Sequence, residues 1–339
     1  MIPDWLNWCL CGVKAIEFTN ATTTQFLHPQ TRQWSTDLLN KLGLPTCILP
    51  PLVEPGTGLG ELRESISTRT GLTRLPIIAP ATHDTGSAVV GVPTKQTGKS
   101  NWAYISSGTW SLVGIETQEP YLSADALAMN FTNEGGVDGT WRVLKNVMGL
   151  WLVQQCRRAF EARGGTADYS RLVALAEKAS PFKALVDPDD ARFLNPPDMP
   201  AALQSFCRET GQSIPETEGE LIRCALESLT LKYARVLEQL QQLSGARIEV
   251  VHIVGGGSHN ALLNQLTADA CGRPVLAGPA EATVLGNLLV QARSMGELKS
   301  LSEIRMAVVN SSELVTFEPR TNAIDSWAEA RARFVRLIQ

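Results

Sequence analysis

The sequence predicts an α/β fold, and three observations carry that prediction. A short β-branched run, Leu75-Pro76-Ile77-Ile78-Ala79, gives way through Thr82-His83-Asp84 to a small-residue helix, Ser87-Ala88-Val89-Val90-Gly91. A second strand, Arg247 to Val254, runs into Gly255-Gly256-Gly257 and then into a helix from Ala261 to Cys271. Beyond it, a strand from Pro274 to Ala277 and a helix from Ala282 to Ser294 continue the alternation of α/β units.

Taken in chain order, the amino end begins inside a helix, passes through Thr19-Asn20-Ala21-Thr22-Thr23-Thr24, and forms a helix from Ser35 to Leu42 closed by Gly43. The polar, turn-rich stretch from Gly91 to Ser100 is a link that divides the chain into residues 1–94 and 95–339. Asn101 to Ser106 and Thr109 to Glu116 read as two strands joined by a tight Ser107-Gly108 turn, with the glycine at positive φ. After the Asp138-Gly139 turn, Trp141 to Leu144 adds a strand, and the chain continues into a helix through Trp151 and Phe160. Glu218 to Leu243 is a long helix; Leu221, Cys224, Ala225, Leu229, Val236, Leu240 and Leu243 recur near helical spacing and face the core. A last helix, Asn322 to Leu337, carries an Arg-rich face that reads as solvated surface.

Composition narrows the function classes. A length of 339 residues with a 44% hydrophobic fraction suits two domains with a sizeable core. The net charge is −4 and no basic stripe accompanies the aromatics, so nucleic acid is not an expected partner. The amino end has no basic region before an apolar core, and the apolar runs are too short to span a bilayer, so a cytoplasmic chain without a membrane partner is expected. Seven cysteines make no disulfide framework, and Cys9-x-Cys11 lacks the spacing of a zinc site; Cys207 and Cys224 lie on neighbouring predicted helices that could bring them together. Asp187, Asp189 and Asp190 read as a solvated turn rather than a metal site, and no metal ligand is assigned. Trp5 and Trp8 are expected to pack, and His252 to be a packed strand histidine.

The chemistry lies in the loops. Asp84 sits at the carboxyl end of a strand, where open α/β sheets bind ligands. A carboxylate there can take a proton from a substrate hydroxyl, as the catalytic-loop aspartate does in phosphoryl transfer. On its own, Asp84 reads first as a helix cap. The turn Ser106-Ser107-Gly108-Thr109-Trp110 offers hydroxyl and backbone donors to phosphate oxygens. Gly255-Gly256-Gly257 lets a ring or phosphate approach the backbone, and the free amides of the following helix favour an anion, with His259 beside them. This is neither a Walker loop nor a dinucleotide fingerprint. Together the segments suggest a base facing a phosphate cradle.

The order of these motifs resembles the FGGY carbohydrate kinases over nearly the whole chain, most of all the branch that acts on L-rhamnulose. Asn133-Glu134-Gly135-Gly136, the run Arg142-Val143-Leu144-Lys145-Asn146-Val147-Met148-Gly149-Leu150-Trp151, Arg192-Phe193-Leu194-Asn195-Pro196-Pro197 and Pro279-Ala280-Glu281-Ala282-Thr283 carry the resemblance beside the segments above. It implies an actin-like (ribonuclease H-like) ATPase fold, with an incomplete first domain in residues 1–94 and a complete second one in 95–339. It implies transfer of the γ-phosphoryl group of ATP, with Mg²⁺, to a small-molecule ketose. The 1-hydroxyl of L-rhamnulose is the expected acceptor, with xylulose or fuculose as alternatives.

By the same resemblance Asp84 would be the base, and His83, Thr85 and Asn146 would contact the ketose. Thr109 would meet ATP phosphate, Gln154 would contribute to the nucleotide site and Gly256 would lie against the adenosine end. Domain closure would exclude water. Members of the family begin with a strand and an acidic-Gly-Ser/Thr phosphate loop, whereas Met1 to Trp8 matches a point well inside their first domain. A truncated kinase sequence is therefore expected, with a non-catalytic nucleotide-binding remnant or pseudokinase as the alternative. Such a remnant would expose apolar surface that its lost strands would cover.

Overall fold

A computed structural model describes residues 1–165 and 168–338. The chain divides into two compact units: Met1–Ser100, Ile115–Leu144 and Glu281–Glu313 form the first, and Asn101–Gly114, Lys145–Ala280 and Leu314–Gln339 the second. Strands Ser111–Thr117 and Trp141–Val147 carry the chain from one unit into the other.

In the first unit, the helix Ile2–Cys11 begins over a proline and ends at Gly12 with φ 86°. Ile2, Trp5, Leu6 and Leu10 lie on its exposed side. Trp5 is 55% exposed and does not pack as expected, while Trp8 is half-buried with the Arg63 guanidinium 5.0 Å from its ring. The helix Thr36–Lys41 stops before Gly43, at φ 67°, as the sequence predicts. The strand Pro76–Ala79 pairs antiparallel with Thr57–Glu61, whose two glycines give no strand signal. After Pro76–Ala79 comes the helix Asp84–Val90, which packs on Ala282–Ser294. Small residues make that approach possible: a β-carbon on Gly91 would stand 2.3 Å from the carbonyl oxygen of Ala282. Ala81, Val90, Val137, Val290, Leu301 and Ile304 form the core around it. Each buried branched side chain there stabilises the unit by roughly 1.5–3 kcal/mol. Arg305 is fully buried and is neutralised by Glu116 at 2.6 Å.

In the second unit the strands run Val315–Phe317, Val275–Ala277, Val250–Val254, Trp102–Ser107, Ser111–Thr117 across the sheet. Val250–Val254 is parallel to both of its neighbours, and the outer pairings are antiparallel. Parallel strands are covered on both faces, and Trp102 to Ile105 and Val251 to Val254 are accordingly all buried. The sequence carries no signal for the edge strand Val315–Phe317, because three residues are too few to show alternation. The long helix Glu218–Ser244 starts in a capping box, Thr217 with Glu220, and stops at Gly245 with φ 67°.

Three further expectations are corrected. The hairpin turn is Gly108-Thr109-Trp110, closed by Ser107 opposite Ser111, and Gly108 is not among the positive-φ glycines. The acidic turn is not merely solvated: Lys232 Nζ lies 2.8 Å from Asp187 and 2.9 Å from Asp189, and Asp189 also accepts the Met148 amide at 2.8 Å. Burial pulls the Lys232 amine down, but the two carboxylates outweigh it and raise it above its ordinary value. The final helix, Ile324–Leu337, turns two of its three arginines to internal partners and leaves Arg336 exposed: Arg331 reaches Glu238 and the Ala270 carbonyl, and Arg333 donates to the Phe182 carbonyl at 2.9 Å.

Candidate active site

The loop that delivers Asp84 is pinned from beneath by one buried carboxylate. Glu17 accepts hydrogen bonds from Thr19 N at 2.8 Å, Thr19 Oγ1 at 2.5 Å, Asn20 N at 3.3 Å, and both the amide and hydroxyl of Thr82 at 2.9 Å. Burial pushes the Glu17 carboxyl up against the pull of these donors. Thr19 Oγ1 in turn accepts the His83 amide at 3.2 Å. Sequence reasoning missed Glu17, a single acid between Ile16 and Phe18 with no motif around it.

Asp84 is the first residue of its helix, and His83 is the N-cap, so the reading of Asp84 as the cap itself does not hold. Its side chain is 80% exposed. Oδ1 accepts the Thr85 amide at 2.6 Å, with Thr85 Oγ1 at 3.3 Å and His83 Nε2 at 3.4 Å. Oδ2 takes no donor among the described residues. Thr85 is buried, with its hydroxyl turned toward Asp84.

Behind His83 stands a buried ion pair that the sequence did not flag as chemistry. Antiparallel pairing sets Arg142 opposite Glu134, so both side chains share one face. Arg142 is wholly buried; its Nε donates to the Gly135 carbonyl at 2.9 Å, one terminal nitrogen lies 3.1 Å from Glu134 Oε2, and the other lies 3.0 Å from His83 Nδ1. Burial pushes the Glu134 carboxyl up, but contact with His83 and the Arg142 charge outweigh it and hold it below the ordinary range.

The second unit holds a cavity of about 560 Å³ lined by Gly108, Leu150, Gln154, Tyr169, Gly256 and His259, among others. The structure brings together two of the predicted nucleotide residues: Thr109 Oγ1 donates to Gln154 Oε1 at 3.2 Å. The three glycines do different jobs. A β-carbon on Gly255 would lie 2.8 Å from the Ser107 carbonyl oxygen, and one on Gly257 would lie 2.0 Å from Ser107 Oγ, while one on Gly256 would meet nothing within 4 Å. The outer two are needed for packing, and the middle one leaves room at the cavity wall.

Two details depart from the expected cradle. Ser107 is buried behind Gly257, so its hydroxyl is part of the packing. The glycines enter a single 3-10 turn, Gly256–His259, and the helix Ala261–Cys271 follows with the Asn260 side chain accepting the Leu263 amide at 3.0 Å, which uses one of the donors expected for an anion. His259 lines the cavity. Asn146 is exposed near the end of Trp141–Val147 and belongs to the second unit. Cys207 and Cys224 do meet, as free thiols. Among the described residues no helix is long and apolar enough to cross a membrane, and no group of three His, Cys, Asp or Glu side chains could hold a metal ion.

Xylulose kinase crystal structures from Rhodospirillum rubrum and Lactobacillus acidophilus share this architecture, with TM-scores of 0.76 and 0.78 at 17% and 15% identity. Each match covers 99% of this chain and 66% of the other. The fold is therefore that of the actin-like ATPases. The N-terminal domain of the FGGY family of carbohydrate kinases matches residues 1–91, and its C-terminal domain matches residues 103–295. The chain belongs to the FGGY family of carbohydrate kinases. It is 44% identical to a rhamnulokinase of Bacteroides thetaiotaomicron over 338 residues, covering 100% of this chain and 68% of the relative. It is 46% identical to one of Enterococcus faecalis over 333 residues, covering 98% and 66%. The chain thus spans about two thirds of the length of these curated relatives.

Proposed function

We propose that this chain serves the ATP-dependent phosphorylation of a ketose in the cytoplasm, with L-rhamnulose as acceptor and L-rhamnulose 1-phosphate as product. The observation that carries the reading is the asymmetry of Asp84: Oδ1 is engaged by its own helix and His83, and Oδ2 is open. Identity of 44–46% to rhamnulokinases supports the choice of sugar. As the acceptor oxygen bonds to the γ-phosphorus and the bond to the departing ADP oxygen breaks, Asp84 takes the hydroxyl proton. His83, Thr85 and Asn146 are the proposed sugar-side residues.

The residues present fit ATP, because the cavity is lined by Gly256, whose missing side chain leaves space for it. Thr109, Gln154 and Gly256 would hold the nucleotide, with Thr109 at the phosphates. Mg²⁺ would accompany the nucleotide as the counter-ion of its phosphates. Functionally, residues 1–94 would supply the base and 95–339 the nucleotide site.

The test is ADP release with Mg²⁺-ATP and L-rhamnulose, run beside xylulose, fuculose, a no-sugar control and Asp84→Asn. Turnover should depend on L-rhamnulose and fall about 10²–10⁴-fold in Asp84→Asn. A second reading, a nucleotide-binding protein without turnover, is favoured by one observation: the cavity is lined entirely by residues of the second unit. ATP binding with no sugar-dependent ADP release would select it.

A further inference from the structure

The histidine beside Asp84 has two neighbours that ask for opposite states of the same ring nitrogen. Glu134 Oε2, 3.3 Å from Nδ1, could bond only to an Nδ1 that carries a proton. The Arg142 guanidinium, 3.0 Å from Nδ1, has donors and no lone pair, so it can bond only to an Nδ1 that accepts. Arg142 is the nearer of the two, wholly buried, and held in place through its Nε bond to Gly135, so it cannot turn away. A bare Nδ1 takes from Glu134 the contact with His83 that helps hold its carboxyl low, but leaves it the Arg142 charge at 3.1 Å.

We propose that Arg142, held in place by the Gly135 carbonyl and the Glu134 charge, fixes His83 as the tautomer with its proton on Nε2, and that this N–H holds Asp84 Oδ1 so that Oδ2 alone meets the acceptor hydroxyl. The second half rests on the reading of Asp84 as the base. The Nε2 to Oδ1 distance of 3.4 Å is long for a hydrogen bond, as catalytic contacts often are before substrate binds. Oδ1 is the oxygen already tied to the Thr85 amide at 2.6 Å, so both contacts act on one side of the carboxylate and fix its rotation. The opposite tautomer would put Nδ1–H against Arg142 and turn a bare Nε2 lone pair toward Asp84. Arg142 is therefore a positioning residue: it acts on the base through His83 and does not touch the substrate.

Long-range proton–nitrogen correlation on the chain labelled at its four histidines reads the tautomer without any turnover. His83 is identified by its absence in His83→Asn. The expected result at neutral pH is a protonated Nε2 and a bare Nδ1; a protonated Nδ1 in the wild type would overturn the proposal, whatever the variants do. In Arg142→Met the proton should move to Nδ1, toward Glu134, while Glu134→Gln should leave it on Nε2. In the kinase assay Arg142→Met should lower kcat about tenfold, less than the ~10²–10⁴-fold contribution of a base itself, and leave KM for ATP unchanged. An equal loss in kcat and in ATP affinity would mean general misfolding and would sink the positioning role. A wild type with the expected tautomer but no sugar-dependent turnover would overturn the kinase reading and leave the tautomer assignment standing.

Discussion

A β-carbon on Gly286 would stand 1.9 Å from the carbonyl oxygen of Ser87. The helices Ala282–Ser294 and Asp84–Val90 therefore touch backbone to backbone, and a carbonyl cannot swing aside as the tip of a side chain can. Gly286→Ala must push the two apart, and Asp84, at the start of the shorter helix, moves with them. The expected cost is about 1–3 kcal/mol, seen as a lower urea midpoint with unchanged slope. An unaltered midpoint would show that the contact has slack.

Lys232 is the cation between Asp187 and Asp189, and its side chain is only 10% exposed. Lys232→Met fills much of the same space and removes one of the lysine charges that act on the two carboxylates, Lys145 being another. Stability should fall by about 1–3 kcal/mol, the cost of taking a partner from half-buried charged groups. Thermal melts of the variant beside the wild type would check this, and an unchanged midpoint would show that the turn does not need its cation.

What was legible in the sequence was local. Strand, glycine and helix follow one another directly around Gly255 to Gly257, and Asp84 follows its strand, so periodicity and punctuation were enough to find them. The missed groups act across the chain: Glu17 lies 65 residues from Thr82, His83 lies 59 from Arg142, and Lys232 lies 45 from Asp187. Charge pattern alone does not tell whether a partner is water or a distant segment, and for that reason the acidic turn and the arginines of the last helix were both read as solvated. Gly108 departs from its expected conformation for a different reason. Its place in a hairpin suggested a need for positive φ, but the loop is one residue longer than expected and does not require it.

Glu134 sets the acid limit of the His83 cluster. Its carboxyl lies below the ordinary 4.5 in the folded chain, so the unfolded chain takes up the proton first as pH falls. The stability it contributes is fully present above that ordinary value and is lost as pH drops through the folded one. At neutral pH, Glu134→Gln should be less stable than the wild type by about 1–3 kcal/mol, since Arg142 loses its counter-charge. The gap should narrow in acid, because the variant has no carboxylate left to protonate. Urea midpoints at neutral and acidic pH would test this, and a gap that widened in acid would contradict the assigned direction.

Gly256 and Gly257 are adjacent, yet substitution should separate binding from stability. In Gly257→Ala the new methyl would lie 2.0 Å from Ser107 Oγ, inside a packed strand end, and the hydroxyl is too buried to move far. Melting should drop, at a cost of about 1–3 kcal/mol for an overpacked site. In Gly256→Ala the methyl meets nothing in the protein and occupies space beside the cavity instead. The fold should melt as the wild type does, while the Kd for ATP weakens by about tenfold, or roughly 1.4 kcal/mol. Calorimetric titration with ATP beside thermal melts of both variants reads the two effects apart. If Gly256→Ala bound ATP as tightly as the wild type, the nucleotide would have to lie away from this wall.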